Sequence, residues 1–151
     1  MRRASLALLL FAACEGPAPG REPLPMADLA RFEAEVQPHL ALRCASGGCH
    51  GRPERPLSLF APGAHRLDRE LLHLDEPLSR AELEENARRT SAFALVPHAR
   101  GSLMVRKPLA QAAGGLWHGG GDVFLDESDP SCRALVSWLD ARSVPTDGGA
   151  R

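Results

Sequence analysis

One short run, Cys44-Ala45-Ser46-Gly47-Gly48-Cys49-His50, brings two thiols and an imidazole within seven residues. Two cysteines with a histidine directly after the second is the arrangement that attaches c-type haem. Each thiol forms a thioether to a porphyrin vinyl group, and the adjacent imidazole ligates iron. The second cysteine anchors one edge of the ring, the histidine swings beneath the metal, and the first cysteine must reach the other vinyl. The spacer therefore has to fold tightly. Here it has four residues in place of the usual two, and Gly47-Gly48 is expected to give it the freedom to loop out.

The same atoms could do other chemistry. A Cys44–Cys49 disulfide closes easily in an oxidising compartment. Zinc would need two further ligands, and no second Cys/His pair has suitable spacing. A thioredoxin-like pair requires C-x-x-C in a βαβ context, which is absent. One covalent haem c held by Cys44, Cys49 and His50 is the reading adopted, and a haem-free module stapled by Cys44–Cys49 is its alternative.

Iron with one histidine calls for a second axial ligand. His118 is the first candidate, on the glycine-rich loop Gly114–Gly121 (GGLWHGGG), where backbone can approach a flat cofactor closely. Met104 is the runner-up, although a Met between Leu103 and Val105 is more often core filling. Met26 is a further candidate, while His39, His65, His73 and His98 have no glycine context or partner spacing and read as surface residues. Trp117, Arg106 and Lys107 could reach haem propionates, but covering apolar surface and facing water explain them equally well.

The elements that must position these groups read as mostly helical. Leu29, Phe32, Val36 and Leu40 mark an amphipathic helix over Met26 to Leu42, kinked where Pro38 interrupts it, and it runs straight into Cys44. Residues 51–77 are rich in Pro, Gly and Leu and read as irregular, with a short helix near Arg69 to Leu72. Ser79-Arg80-Ala81-Glu82 fits a capping box and opens a helix to about Ser91. Gly101 to Leu109 is too short to classify. Asp129-Pro130 places a capping residue before a proline at the first helical position, and the helix to about Arg142 buries Leu135, Trp138 and Leu139. Asp126, Glu127 and Asp129 read as capping and dipole-stabilising groups at that helix start. Strand signals are weak throughout.

The N-terminus reads as an export signal. Arg2 and Arg3 precede an uncharged apolar run from Ala4 to Ala13, too short to span a bilayer. Phe11-Ala12-Ala13-Cys14 resembles the lipobox of bacterial lipoproteins, with Phe where Leu is preferred, and implies lipidation at Cys14. The expected organisation is a signal peptide over 1–13, a lipidated, Pro-rich tether over 14–25, one domain over 26–144 and a loose tail over 145–151. That places the protein in the cell envelope, anchored to a membrane through the lipid. Net charge is −1, and the arginines are scattered among acids without a basic stripe, so nucleic acid is not an expected partner.

Beyond the motif itself, FEAEVQPHLALRCASGGCHG (32–51), SLMVRKPL (102–109), GGLWHGGG (114–121) and DPSCRALVSWL (129–139) together resemble cytochrome-c-like domains of bacterial lipoproteins. The resemblance implies a cytochrome c fold whose first and last helices cross, with haem in a pocket between loops. It also implies that the histidine of a G-G-x-x-H-x-G-G segment, here His118, recurs at this place. Cys132 departs from the pattern, standing where an aromatic is commoner. It reads as a buried inert thiol, or else as a disulfide partner for Cys44 or Cys49 that would rule out attachment at both vinyls. No nucleophile–base pair or paired carboxylates point to substrate chemistry, so the expected task is electron transfer to a redox partner rather than enzymatic turnover.

Overall fold

The computed structural model describes residues 26–72, 74–94 and 98–143. The signal peptide, Cys14, the tether, His73 and the tail from 145 onward lie outside the described residues.

Pro38 has no N–H to offer the carbonyl four residues back, and its ring crowds that carbonyl. The expected single helix is accordingly two: α1, Met26–Glu35, and α2, Gln37–Arg43, meeting at Val36. Pro38 falls in the first turn of α2, where its missing N–H loses no partner. The kink is thus a break, bridged by Val36 N–H to Phe32 O (2.9 Å) and Leu40 N–H to Val36 O (3.1 Å). Leu29, Phe32, Val36 and Leu40 still form one buried stripe across it.

The next long helix, α3 (Arg80–Ala92), begins on the expected capping box: Ser79 Oγ accepts from Glu82 N–H at 3.3 Å, and Glu82 Oε2 accepts from Ser79 N–H at 2.8 Å. Glu82 has a second role. It forms a buried, two-pronged ion pair with Arg66, at 2.9 and 3.0 Å, and accepts from Leu67 N–H at 2.8 Å. Arg66 also donates to the carbonyls of Glu76 and Pro77, both at 2.9 Å. One salt bridge thereby holds the long irregular segment before α3 against the helix. The short helix expected within that segment is a 3₁₀ turn, Arg69–Leu71, capped by Asp68.

A 3₁₀ turn, Ala99–Gly101, leads into the Gly101 to Leu109 stretch, which contains a four-residue helix, α4 (Leu103–Arg106). Beyond it, an isolated parallel bridge between Leu109 and Phe124 pins the two ends of the glycine loop. Ala110 N–H donates to Phe124 O and Phe124 N–H to Pro108 O, both at 2.8 Å. This bridge aside, no β-structure occurs among the described residues, which are mostly helical.

The last helix, α5 (Pro130–Ser143), starts as expected: Asp129 Oδ1 accepts from Ser131 N–H (2.8 Å) and Cys132 N–H (3.3 Å), and Pro130 opens the first turn. It packs on α1. The Phe32 and Trp138 rings lie 4.8 Å apart at 54°, and the Trp138 indole N–H donates to Asp28 O at 3.2 Å. Burying two such rings contributes roughly 2–3 kcal/mol each. Among the described residues no helix is long and apolar enough to cross a membrane.

Candidate functional site

α2 ends at Cys44, whose N–H still donates to Leu40 O at 2.9 Å, and the chain then turns back on itself. Cys49 N–H and Gly51 N–H both donate to Ser46 O, and His50 N–H returns to Cys44 O, all at 2.9 Å. This is how a four-residue spacer becomes a tight turn with both thiols and the imidazole on one cleft. The glycine requirement falls elsewhere than the sequence suggested. Neither Gly47 nor Gly48 adopts positive φ, and a Cβ on either would meet open space. Gly51 is the constrained position: a Cβ there would overlap the Ala45 carbonyl.

His50 is half-buried and its Nδ1 lies 2.8 Å from Leu57 O. With the proton on Nδ1 donated to that carbonyl, Nε2 is left as a lone-pair donor. Burial lowers the imidazole pKa below its ordinary value, opposed in part by the Leu57 bond, so His50 is neutral near pH 7. The Cys44 thiol is pushed up to about 11, chiefly by burial, with Arg43 opposing and Cys49 adding to the shift. Cys44, Cys49 and Cys132 are all free thiols.

His118 comes to the same cleft from the glycine loop. Its ring is stacked with that of His50, centroids 5.9 Å apart and planes within 7° of parallel. Like His50 it spends Nδ1 on a backbone carbonyl, that of Gly121, at 3.3 Å. Gly120 lies so close that a Cβ there would press on the imidazole. The loop is held in place by Leu116 N–H to Arg106 O (2.7 Å) and Lys107 Nζ to Trp117 O (3.1 Å).

The cleft lined by the two histidines has a cavity volume of about 250 Å³, just below the ~300–1,000 Å³ of ligand pockets. Its walls are apolar, with Leu57, Phe93, Met104 and Val123 among them, and Arg43 and Lys107 supply positive charge. Arg43 is already engaged: Asp129 meets its Nη1 at 2.7 and 2.9 Å, and its Nη2 donates to Val123 O. Among the described residues Lys107, the other cation of the lining, pairs with no carboxylate in this way.

Other candidates fall away from this geometry. Met104 lines the cleft, but as part of the buried core. His39 is a correction: it is half-buried and hydrogen-bonds Ser131 Oγ at 3.0 Å, linking α2 to α5. His65 is likewise half-buried, stacked 4.7 Å from Phe60, whereas His98 is exposed as expected. Cys132 is buried in the core. Sequence reasoning missed Leu57, whose carbonyl orients His50, and the Arg66–Glu82 pair. A backbone acceptor carries no residue-type signal, and an Arg and a Glu so far apart are not marked as partners.

Two thiols and two imidazoles on one cleft are donor types that a c-type haem would use. Among the described residues no three His, Cys, Asp or Glu side chains come together as a metal cage. A haem would be held by Cys44, Cys49, His50 and His118, and would supply a one-electron iron couple. No protein-family model, curated protein or solved structure matches the chain.

Proposed function

We propose that this protein is a c-type cytochrome: one covalent haem, thioether-linked through Cys44 and Cys49, with His50 and His118 as axial ligands, in a cytochrome-c-like helical domain that passes electrons to a redox partner rather than turning over a substrate. When bound, the haem supplies a one-electron iron couple. The observation that carries the reading is that His50 and His118 line one cleft with Cys44 and Cys49, their imidazoles parallel at 5.9 Å and each within hydrogen-bond distance of a backbone carbonyl through Nδ1.

The chain's own part is to hold and tune. The turn 44–51 keeps both thiols beside His50. Leu57 fixes the His50 tautomer and strengthens its donor character. Apolar walls exclude water, and Lys107 supplies a positive charge for an acidic edge of the ligand. Packing of α1 on α5 supports a cytochrome-like frame. The same reading takes Cys14 as a lipid anchor holding the domain at an envelope membrane.

The test is a pyridine haemochrome spectrum of the full chain, expressed with a c-type maturation system and washed under denaturing conditions. A covalently retained c-type signal is expected. A colourless protein, from a host that matures a control cytochrome, would overturn the reading and leave a haem-free envelope module.

A further inference from the structure

His50 takes its orientation from the Leu57 carbonyl, so whatever fixes Leu57 also fixes the ligand. The segment 57–60 forms a strap laid between the haem-motif turn and α3. On one side Leu57 O accepts from His50 Nδ1 (2.8 Å), while Leu59 N–H returns to His50 O (2.7 Å). On the other side the Asn86 carboxamide grips Phe60 by both backbone groups. Oδ1 accepts from Phe60 N–H and Nδ2 donates to Phe60 O, each at 2.8 Å. Asn86 Nδ2 also donates to Gln37 Oε1 (2.9 Å), and Gln37 Nε2 donates to Phe60 O (3.3 Å). Arg89 Nη1 closes the set on Ser58 O at 2.7 Å.

Asn86 is fully buried and Gln37 nearly so. An amide in an apolar core is costly unless every group is paired, and here the pairing is spent on one short piece of backbone. A leucine would fill the site with less demand. The amide does what a neighbouring strand would do, and the backbone it grips ends at the carbonyl on which His50 depends.

We infer that Asn86, backed by Gln37, is a positioning residue for His50: it holds the 57–60 strap so that Leu57 keeps the imidazole in its Nδ1–H tautomer and sets its strength as an iron donor. The inference rests on the haem reading above. A firm Nδ1–H···O bond makes Nε2 more basic and favours the oxidised metal ion. Loosening the strap weakens that bond and raises the midpoint potential.

The experiment compares wild type, Asn86→Leu and Gln37→Leu as full-length, matured holoproteins, with Leu83→Ala as a control on the same helix. Leu83 is buried in the core but gives no hydrogen bond to the strap. The readouts are the midpoint potential and the His50 Nδ1–H resonance in NMR spectra. For Asn86→Leu the ratio of reduced to oxidised protein at fixed potential rises about tenfold, a shift of ~59 mV for one electron, and for Gln37→Leu, which keeps the Asn86 bonds to Phe60, it rises in the same direction by a smaller factor. The Nδ1–H also exchanges faster with solvent. Leu83→Ala lowers Tm without moving either readout. Should Asn86→Leu fail to mature, Gln37→Leu, which leaves both Asn86 bonds to Phe60 available, carries the test. Unmoved potential and exchange in coloured variants, or an equal shift in Leu83→Ala, would overturn the inference alone. A wild-type chain that retains no haem removes it together with the reading on which it stands.

Discussion

His50 and His118 face one cleft with their rings within 7° of parallel and 5.9 Å between centroids, although they stand in separate loops 68 residues apart in the sequence. The two are not held alike. His50 is tied at 2.8 Å to a carbonyl in a strap anchored on α3, whereas His118 bonds at 3.3 Å within its own glycine loop. Met104, on the cleft wall, belongs to the core instead.

That contrast separates the two candidate sixth ligands. In the matured protein, His118→Ala is expected to change the visible spectrum from a six-coordinate to a five-coordinate form and to open the iron to added imidazole or carbon monoxide. Met104→Leu, a volume-conserving core change costing less than about 1.5 kcal/mol, is expected to leave the spectrum as it is. The reverse pattern in absorption and ligand-binding titrations would assign the site to Met104.

The turn that delivers the thiols makes a second, sharper demand. A methyl on Gly51 would occupy the position of the Ala45 carbonyl, so Gly51→Ala must open the turn and displace His50. We expect it to lower the yield of covalent haem and the Tm together. Gly47→Ala meets no atom and no positive φ, and should raise stability by about 0.4–1 kcal/mol by restricting the unfolded chain. Haemochrome yield and thermal unfolding of the two variants check this, and equal behaviour would refute it.

Cys132 is fully buried in α5, and burial raises its thiol pKa. It packs as a small hydrophobe. Cys132→Ala should therefore cost on the order of 1 kcal/mol in denaturant unfolding and leave covalent haem unchanged. A loss of attached haem in that variant would tie Cys132 to the Cys44–Cys49 chemistry after all.

Much of the frame was legible in the sequence because it rests on local rules. Ser79 with Glu82, and Asp129 with Pro130, start α3 and α5 where side-chain chemistry says they should. The stripe Leu29, Phe32, Val36, Leu40 is the buried face expected of it, with Pro38 producing a break where a kink was expected. The candidate site was legible at its side chains, Cys44, Cys49, His50 and His118, which line one cleft. What stayed hidden is whatever depends on backbone or on pairs distant in sequence. Leu57 acts through its carbonyl, Gly51 through a contact with Ala45, and Asn86 through the backbone of Phe60. None of these has a signature in residue type, since each is fixed by where the chain returns to itself.

The Arg66–Glu82 pair is another of these distant relationships, and it makes stability depend on pH in a defined direction. The two side chains are 0% and 2% exposed and meet at 2.9 Å. Burial alone would push the Glu82 carboxyl up, but hydrogen bonds from Arg66, Leu67 and Ser79 outweigh it and hold the pKa at about 2, against an ordinary 4.5. The unfolded chain therefore takes up this proton first as pH falls. The stabilisation from Glu82 is fully present above about 4.5 and is lost progressively down to about 2. Its size follows from the shift, roughly 3 kcal/mol at 1.36 kcal/mol per pKa unit. Breaking the pair by Glu82→Gln leaves a buried guanidinium without its counter-charge, so the variant should be about 3–5 kcal/mol less stable at pH 7. Urea unfolding of wild type and Glu82→Gln at pH 7, 4 and 3 reads the difference, which cancels the titration of the other carboxylates. It should shrink steadily with acidification. A difference that stays constant from pH 7 to 3 would mean that Glu82 contributes through packing and capping, with its charge playing no part.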